Sequence, residues 1–138
     1  MVEVNNLVGA RISQKFIRQV LNRSLKLVEG RVWQRGATIS VALVDEATIK
    51  NLNKKYRKVN KITDVLSFGD LRKQNIVELI ICWPVIRKQA ENLEHSITEE
   101  LKIILVHGLL HFLGWRDDTK KQRVKMERKT DEITKAIK

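Results

Sequence analysis

Two histidines four residues apart, His107 and His111, stand among apolar residues in the stretch "HGLLHFLGWRDD" (107–118). On a helix, positions i and i+4 share one face a turn apart, so both imidazoles can reach a single ion. Gly114 lets the chain turn back sharply, and Asp117 is then placed to return to the same ion. Two histidines and one carboxylate leave a coordination position open for water, the arrangement of catalytic rather than structural zinc. The competing account is a hydrogen-bonded core pair. The glycine break followed by two acids weighs toward the metal. A bound ion can lower the pKa of its water to about 7, which equips it for hydrolysis. The zinc-peptidase pattern H-E-x-x-H places a glutamate base after the first histidine. Here that residue is Gly108, which weighs against a peptide substrate.

A helix must carry the pair, and the residues before it supply one. "SITE" (96–99) has the pattern of a capping box, with Ser96 as cap and Glu99 reaching back to it. The helix that follows, through Leu113, is apolar on nearly every side and so belongs in the middle of a core. Gly114 stops it. Asp118 or Thr119 can cap a last charged helix with apolar positions Val124, Met126, Ile133 and Ile137.

Upstream, "VEVNN" (2–6) reads as a short strand, and Ile12 to Val28 as an amphipathic helix ended by Gly30. "TISVALV" (38–44) is a strand, and Asp45 caps a helix over "EATIKNLNKKYR". Two more strands, 63–68 and 75–82, flank a basic loop, and Pro84 opens a further helix. The order predicts an α+β fold. A small mixed sheet of about four strands is packed by helices, with the histidine-bearing helix central. The 138 residues suit one domain, spanning 1–138.

The net charge of +11 favours a polyanionic partner, nucleic acid first and an anionic membrane surface or acidic protein second. A merely solvated basic surface is the plainer account. Cys82 is the only cysteine and reads as a buried strand thiol. No signal-peptide pattern opens the chain, and no apolar run is long enough to span a bilayer, so a soluble cytoplasmic protein is expected.

Three collinear segments resemble the bacterial YbeY family. "HGLLHFLGWRDD" is similar to its H-G-x-L-H-L-x-G-Y-D-H signature. "LNKKYRKVNKITDVLSF" (52–68) is similar to its L-N-x-x-Y-R…T-D-V-L-S-F segment, and "ELIICWPVIRKQA" (78–90) to its strand-to-helix stretch. The resemblance implies a zincin-like fold and a single-strand-specific, metal-dependent endoribonuclease. It further implies a role in rRNA maturation, including the 3′ end of 16S rRNA, and in ribosome quality control. The expected cofactor is one divalent ion per chain, zinc first, with manganese, iron or nickel as alternatives.

Carried over by position, the first two ligands are His107 and His111, and the family's third histidine falls on Asp117. Arg57 falls on the arginine that the family needs for activity, so Arg57 and His107 are the expected catalytic residues. Asp117 in place of histidine makes the site harder and can move its preference toward manganese or iron. Arg116, Ile62, Val77, Glu78 and Asn60 are further departures from the family pattern.

Asp118 either orients a ligand histidine from behind or only caps the last helix. Lys54, Lys55, Lys58 and Lys61 either contact RNA phosphates or are solvated. Tyr56 and Trp115 fall where a core would use them and are expected to pack rather than to serve as base-stacking platforms, His95 to be exposed and inert, and Thr63, Asp64 and Ser67 to border the cleft. The expected partners are rRNA and the small ribosomal subunit or its assembly proteins, with no DNA and no membrane. A monomer is the expected state. Two rival functions remain: a non-catalytic assembly factor with a structural ion, and a metallohydrolase of another substrate.

Overall fold

The computed structural model describes residues 1–28 and 36–137. The element order is β1 (Val2–Asn6), α1 (Gln14–Leu27), β2 (Thr38–Val44), α2 (Glu46–Arg57), β3 (Val65–Phe68), β4 (Ile76–Cys82), α3 (Trp83–Asn92), α4 (Ile97–Phe112) and α5 (Lys120–Ala136). The strands form one mixed sheet in the order β1-β2-β4-β3, with β1, β2 and β4 parallel and β3 antiparallel at the edge. This is the expected α+β arrangement, and α4 is its central helix. Gly30, expected to stop α1, lies outside the described residues.

Period-two alternation divides the sheet between two cores. Val77, Leu79 and Ile81 of β4, with Ile39, Val41 and Leu43 of β2, face the main core. Ile80 and Cys82 face a smaller one with Val44, Ile49 and Leu66 beneath α2. Both faces of β4 are therefore covered from Leu79 to Cys82, while Ile76 and Glu78 stay exposed on the second face. α4 explains its own composition: it packs against α1, α3, α5 and β3, so Leu101, Leu105, Val106, Leu109, Leu110 and Phe112 are all buried. At Gly108 it lies close against the sheet. A Cβ there would lie 2.5 Å from a methyl of Leu79. The position after the first histidine is thus closed by β4, and a glutamate side chain has no room there.

Several boundaries and contacts differ from the sequence expectation. Ser13 caps α1 by accepting from the Phe16 N–H, so residues 12 and 13 stay outside the helix. β3 begins at Val65, leaving Thr63 and Asp64 in the loop before it. Ser96 does cap α4, accepting from Glu99 N, but the Glu99 carboxylate pairs with Lys102 rather than reaching back. The reciprocal box is instead at α5, between Thr119 and Gln122. Val124 is exposed because the buried stripe of α5 runs through Met126, Thr130, Ile133 and Thr134 at steps of three and four. His95 is half-buried rather than exposed.

Candidate metal centre

Within residues 103–112, buried helix gives way at three positions only: Ile103, His107 and His111 are partly exposed. They fall four residues apart, on a line of α4 that its neighbours cover only in part. Both histidines open into a cleft of about 600 Å³, whose lining also includes Arg57, Asp64, Arg72 and Asp117.

The return of the chain to this line follows from the end of α4. Gly114 adopts φ +96°, a conformation that favours glycine. Its N–H bonds to His111 O at 3.1 Å, and Trp115 N–H bonds to Leu110 O at 3.0 Å, which is the paired closure of a Schellman motif. That turn brings the Trp115 carbonyl to 3.1 Å from His111 Nδ1. A carbonyl only accepts, so Nδ1 carries the proton and Nε2 of the neutral ring keeps its lone pair for the cleft. The next two residues reach the cap of α5. Gln122 accepts from the N–H groups of Asp118 and Thr119, and Arg123 reaches toward the carbonyls of Asp117 and Asp118 at 3.4 Å. Asp117 is thus held between two helix ends.

The three donor atoms form a compact triangle. His107 Nε2 and His111 Nε2 are 3.2 Å apart, and Asp117 Oδ2 lies 3.5 Å from the first and 3.4 Å from the second. Donors about 2.05 Å from a tetrahedral ion stand about 3.3 Å apart. The triangle therefore has the dimensions of one face of such a site, and His107, His111 and Asp117 can hold a metal ion. The imidazole side chains are 27% and 28% exposed and the carboxylate 40%, so the open side of the triangle faces the cleft.

Burial lowers the His107 pKa from its ordinary value of 6.5, and the neighbouring His111 lowers it further. The Asp117 and Asp64 carboxylates oppose this in part. The neutral ring that a metal needs is thereby favoured at neutral pH. In metal-free protein, the His107 ring observed by NMR is expected to titrate below 6.5. Titration at or above 6.5 would mean that the carboxylates outweigh burial.

The other sequence-derived candidates divide. Arg57 lines the same cleft from the end of α2. It donates to Ser67 O and lies 5.1 Å over the Phe68 ring. Thr63, Asp64 and Ser67 line it too. Asp118 lines the cleft as well but makes no hydrogen bond or ion pair with either histidine. Its carboxylate pairs with Arg116 through Nε at 2.6 Å, and Thr119 is the residue that caps α5. The contact behind His111 comes from the Trp115 carbonyl, while the Trp115 ring packs on the main core. Lys54, Lys55, Lys58 and Lys61 are exposed on and after the last turn of α2. Tyr56, expected to pack, is 56% exposed.

Arg72 was not singled out by its sequence context, a basic loop. Its guanidinium pairs twice with Asp70, at 2.9 and 2.7 Å, and holds that carboxyl down at about 2. A Cβ on Gly114 would collide with it, so the arginine lies against the glycine turn. Nothing in local sequence links position 72 to 114. The loop after β3 brings them together.

A helix-borne histidine pair, with a carboxylate brought beside it across a glycine turn in a cleft that Arg57 and Arg72 also line, is a group that could hold a metal ion. The chain belongs to the endoribonuclease YbeY family, whose family model matches residues 3–138. An Endoribonuclease YbeY of Symbiobacterium thermophilum is 34% identical, covering 87% of this chain and 83% of the relative. One of Persephonella marina is 32% identical, covering 97% and 90%. A Thermotoga maritima protein solved in solution has the same fold. Its TM-score is 0.61 at 22% identity, over 99% of this chain and 91% of that one. Among the described residues, no helix is long and apolar enough to cross a membrane.

Proposed function

We propose that residues 1–138 act as one metal-dependent endoribonuclease unit that cuts single-stranded RNA. The observation that carries this is the donor triangle of His107, His111 and Asp117, with edges of 3.2 to 3.5 Å, in a cleft that also presents Arg57 and Arg72. Family membership supports RNA as the substrate. The net charge of +11 supports a polyanion. When bound, the ion supplies Lewis acidity toward a phosphate oxygen and acidifies water. His107, His111 and Asp117 hold it, with zinc as the first candidate and manganese, iron or nickel as others. Arg57 has one guanidinium nitrogen on Ser67 O, which fixes the group at the cleft wall. Its remaining N–H groups serve the phosphate and the charge that develops on it. The nucleophile is water or the adjacent ribose 2′-hydroxyl.

The cellular substrate in this reading is the 3′ end of small-subunit rRNA, in the cytoplasm, with ribosome quality control as the wider role. The chain acts as a monomer on the small subunit or its assembly proteins.

One observation favours the assembly-factor reading: Arg57 already has a structural use against Ser67 and Phe68. The test compares cleavage of labelled single-stranded and duplex RNA by metal-loaded wild type and Arg57→Ala, with and without chelator. Wild type is expected to cut single strands, and to stop on chelation. The variant is expected to lose about 100-fold in turnover with its RNA affinity changed far less. Unchanged turnover in the variant, or cleavage insensitive to chelator, would reject the mechanism.

A further inference from the structure

Tyr56 is the chain's single tyrosine. It occupies the last turn of α2, yet more than half of its surface is open. The ring is not loose. It stands edge-on to Phe68, with centroids 5.4 Å apart and planes at 67°. Phe68 is itself packed against the smaller core. Lys55 Nζ lies 5.2 Å from the Tyr56 centroid, and the Arg57 guanidinium lies over the Phe68 ring. An open aromatic ring held by a second aromatic and flanked by cations is the construction of a base-stacking platform in single-strand binding.

Arg57 ties this platform to the cleft. It follows Tyr56 in the chain, bonds to Ser67 beside Phe68, and lines the cavity that holds His107 and His111. Lys54, Lys55, Lys58 and Lys61 surround the tyrosine in sequence, and Val59 and Ile62 are exposed after it. Cations beside an open apolar ring match the two parts of a nucleotide, phosphate and base, at neighbouring positions. A purely apolar docking face would not carry five basic residues within positions 54–61.

We propose that Tyr56 stacks on an unpaired base next to the phosphate bound at the cleft. The rim formed by Lys55, Tyr56, Arg57 and Phe68 is then a base-binding subsite that selects single strands, because a paired base has no free face to offer. This rests on the endoribonuclease reading and extends it to the substrate's bases.

The experiment measures binding of a non-cleavable 2′-O-methyl single strand by zinc-loaded wild type, Tyr56→Ala and Tyr56→Phe. A 2-aminopurine placed along the strand reports stacking. The same strand with abasic sites, a duplex and anionic phospholipid vesicles complete the set. Tyr56→Ala is expected to weaken single-strand binding about 10-fold and to lose the 2-aminopurine quench. Tyr56→Phe is expected to behave as wild type, and binding of the abasic strand to change little in either variant. Equal losses on intact and abasic strands would overturn stacking, as would single-strand binding by Tyr56→Ala at wild-type strength. A variant that loses only vesicle binding would assign the rim to a membrane surface instead. Wild type with no affinity for any RNA would remove the endoribonuclease reading itself.

Discussion

Untagged protein loaded with zinc or manganese is expected to carry close to one ion per chain, and His107→Ala to lose more than about 100-fold in affinity for it. The reason is the donor triangle. Each of its three atoms lies within 3.5 Å of the other two, so each is a full ligand. Changes to groups that only support ligands already cost 10- to 100-fold, and loss of a ligand should cost more. Asp117→Ala should fall with it. Asp117→His should retain the ion and shift preference toward zinc, since it exchanges a hard oxygen for a borderline nitrogen.

The metal-dependent gain in stability separates lost ligation from lost folding. At 100-fold excess over the dissociation constant, an ion adds about 2.7 kcal/mol, or about 10 °C in Tm for a chain of this size. Wild type should show that rise. His107→Ala should melt near the metal-free wild type and show no rise. His107 lines the cleft, so the space left by its removal is open to solvent rather than a closed core cavity, and the fold is expected to survive. RNA cleavage should follow the ion. A His107→Ala variant that bound the metal normally would displace His107 from the centre, and substoichiometric metal in wild type would remove the centre altogether.

The elements of this fold were largely legible because each has a local cause. Asp45, Ser96 and Pro84 mark real helix starts, and caps, β-rich runs and helical spacing together placed the described elements to within a few residues. The all-apolar character of α4 placed it centrally before any packing was known. That His107, His111 and Asp117 converge was also local, since spacing four and a glycine break fix it.

What sequence did not show is what the backbone or distant loops provide. The proton on His111 Nδ1 is set by the Trp115 carbonyl, a group that every residue type carries. Arg72 meets Gly114 only through the loop after β3. Asp118 was a plausible support for a histidine until Arg116 claimed it. Tyr56 shares a helix face with Ile49 and Leu52 but sits in the last turn of α2, where that face meets the edge of Phe68 and is otherwise largely open, and aromatic character alone does not separate packing from display.

Gly114→Val is expected to weaken the metal centre without touching a ligand. A φ of +96° is strained for any side chain and worse for a β-branched one, which costs about 1–3 kcal/mol. The new Cβ also meets the Arg72 guanidinium, although that flexible end can move aside at the expense of its pairing with Asp70. Relief of the backbone strain unwinds the turn that brings Trp115 O to His111 and Asp117 to both histidines. Metal affinity should therefore fall about 10- to 100-fold, as for other losses of supporting groups.

The informative control is Gly108→Val, one residue past His107. That glycine is helical, so no left-handed strain arises. Its added Cβ strikes Leu79 in the sheet instead, and overpacking there costs about 1–3 kcal/mol. Both variants should lose stability to a similar degree by urea denaturation, yet only Gly114→Val should lose metal affinity in proportion beyond its stability loss. Equal metal affinities in the two folded variants would show that the Schellman turn closes the helix but does not set the third ligand.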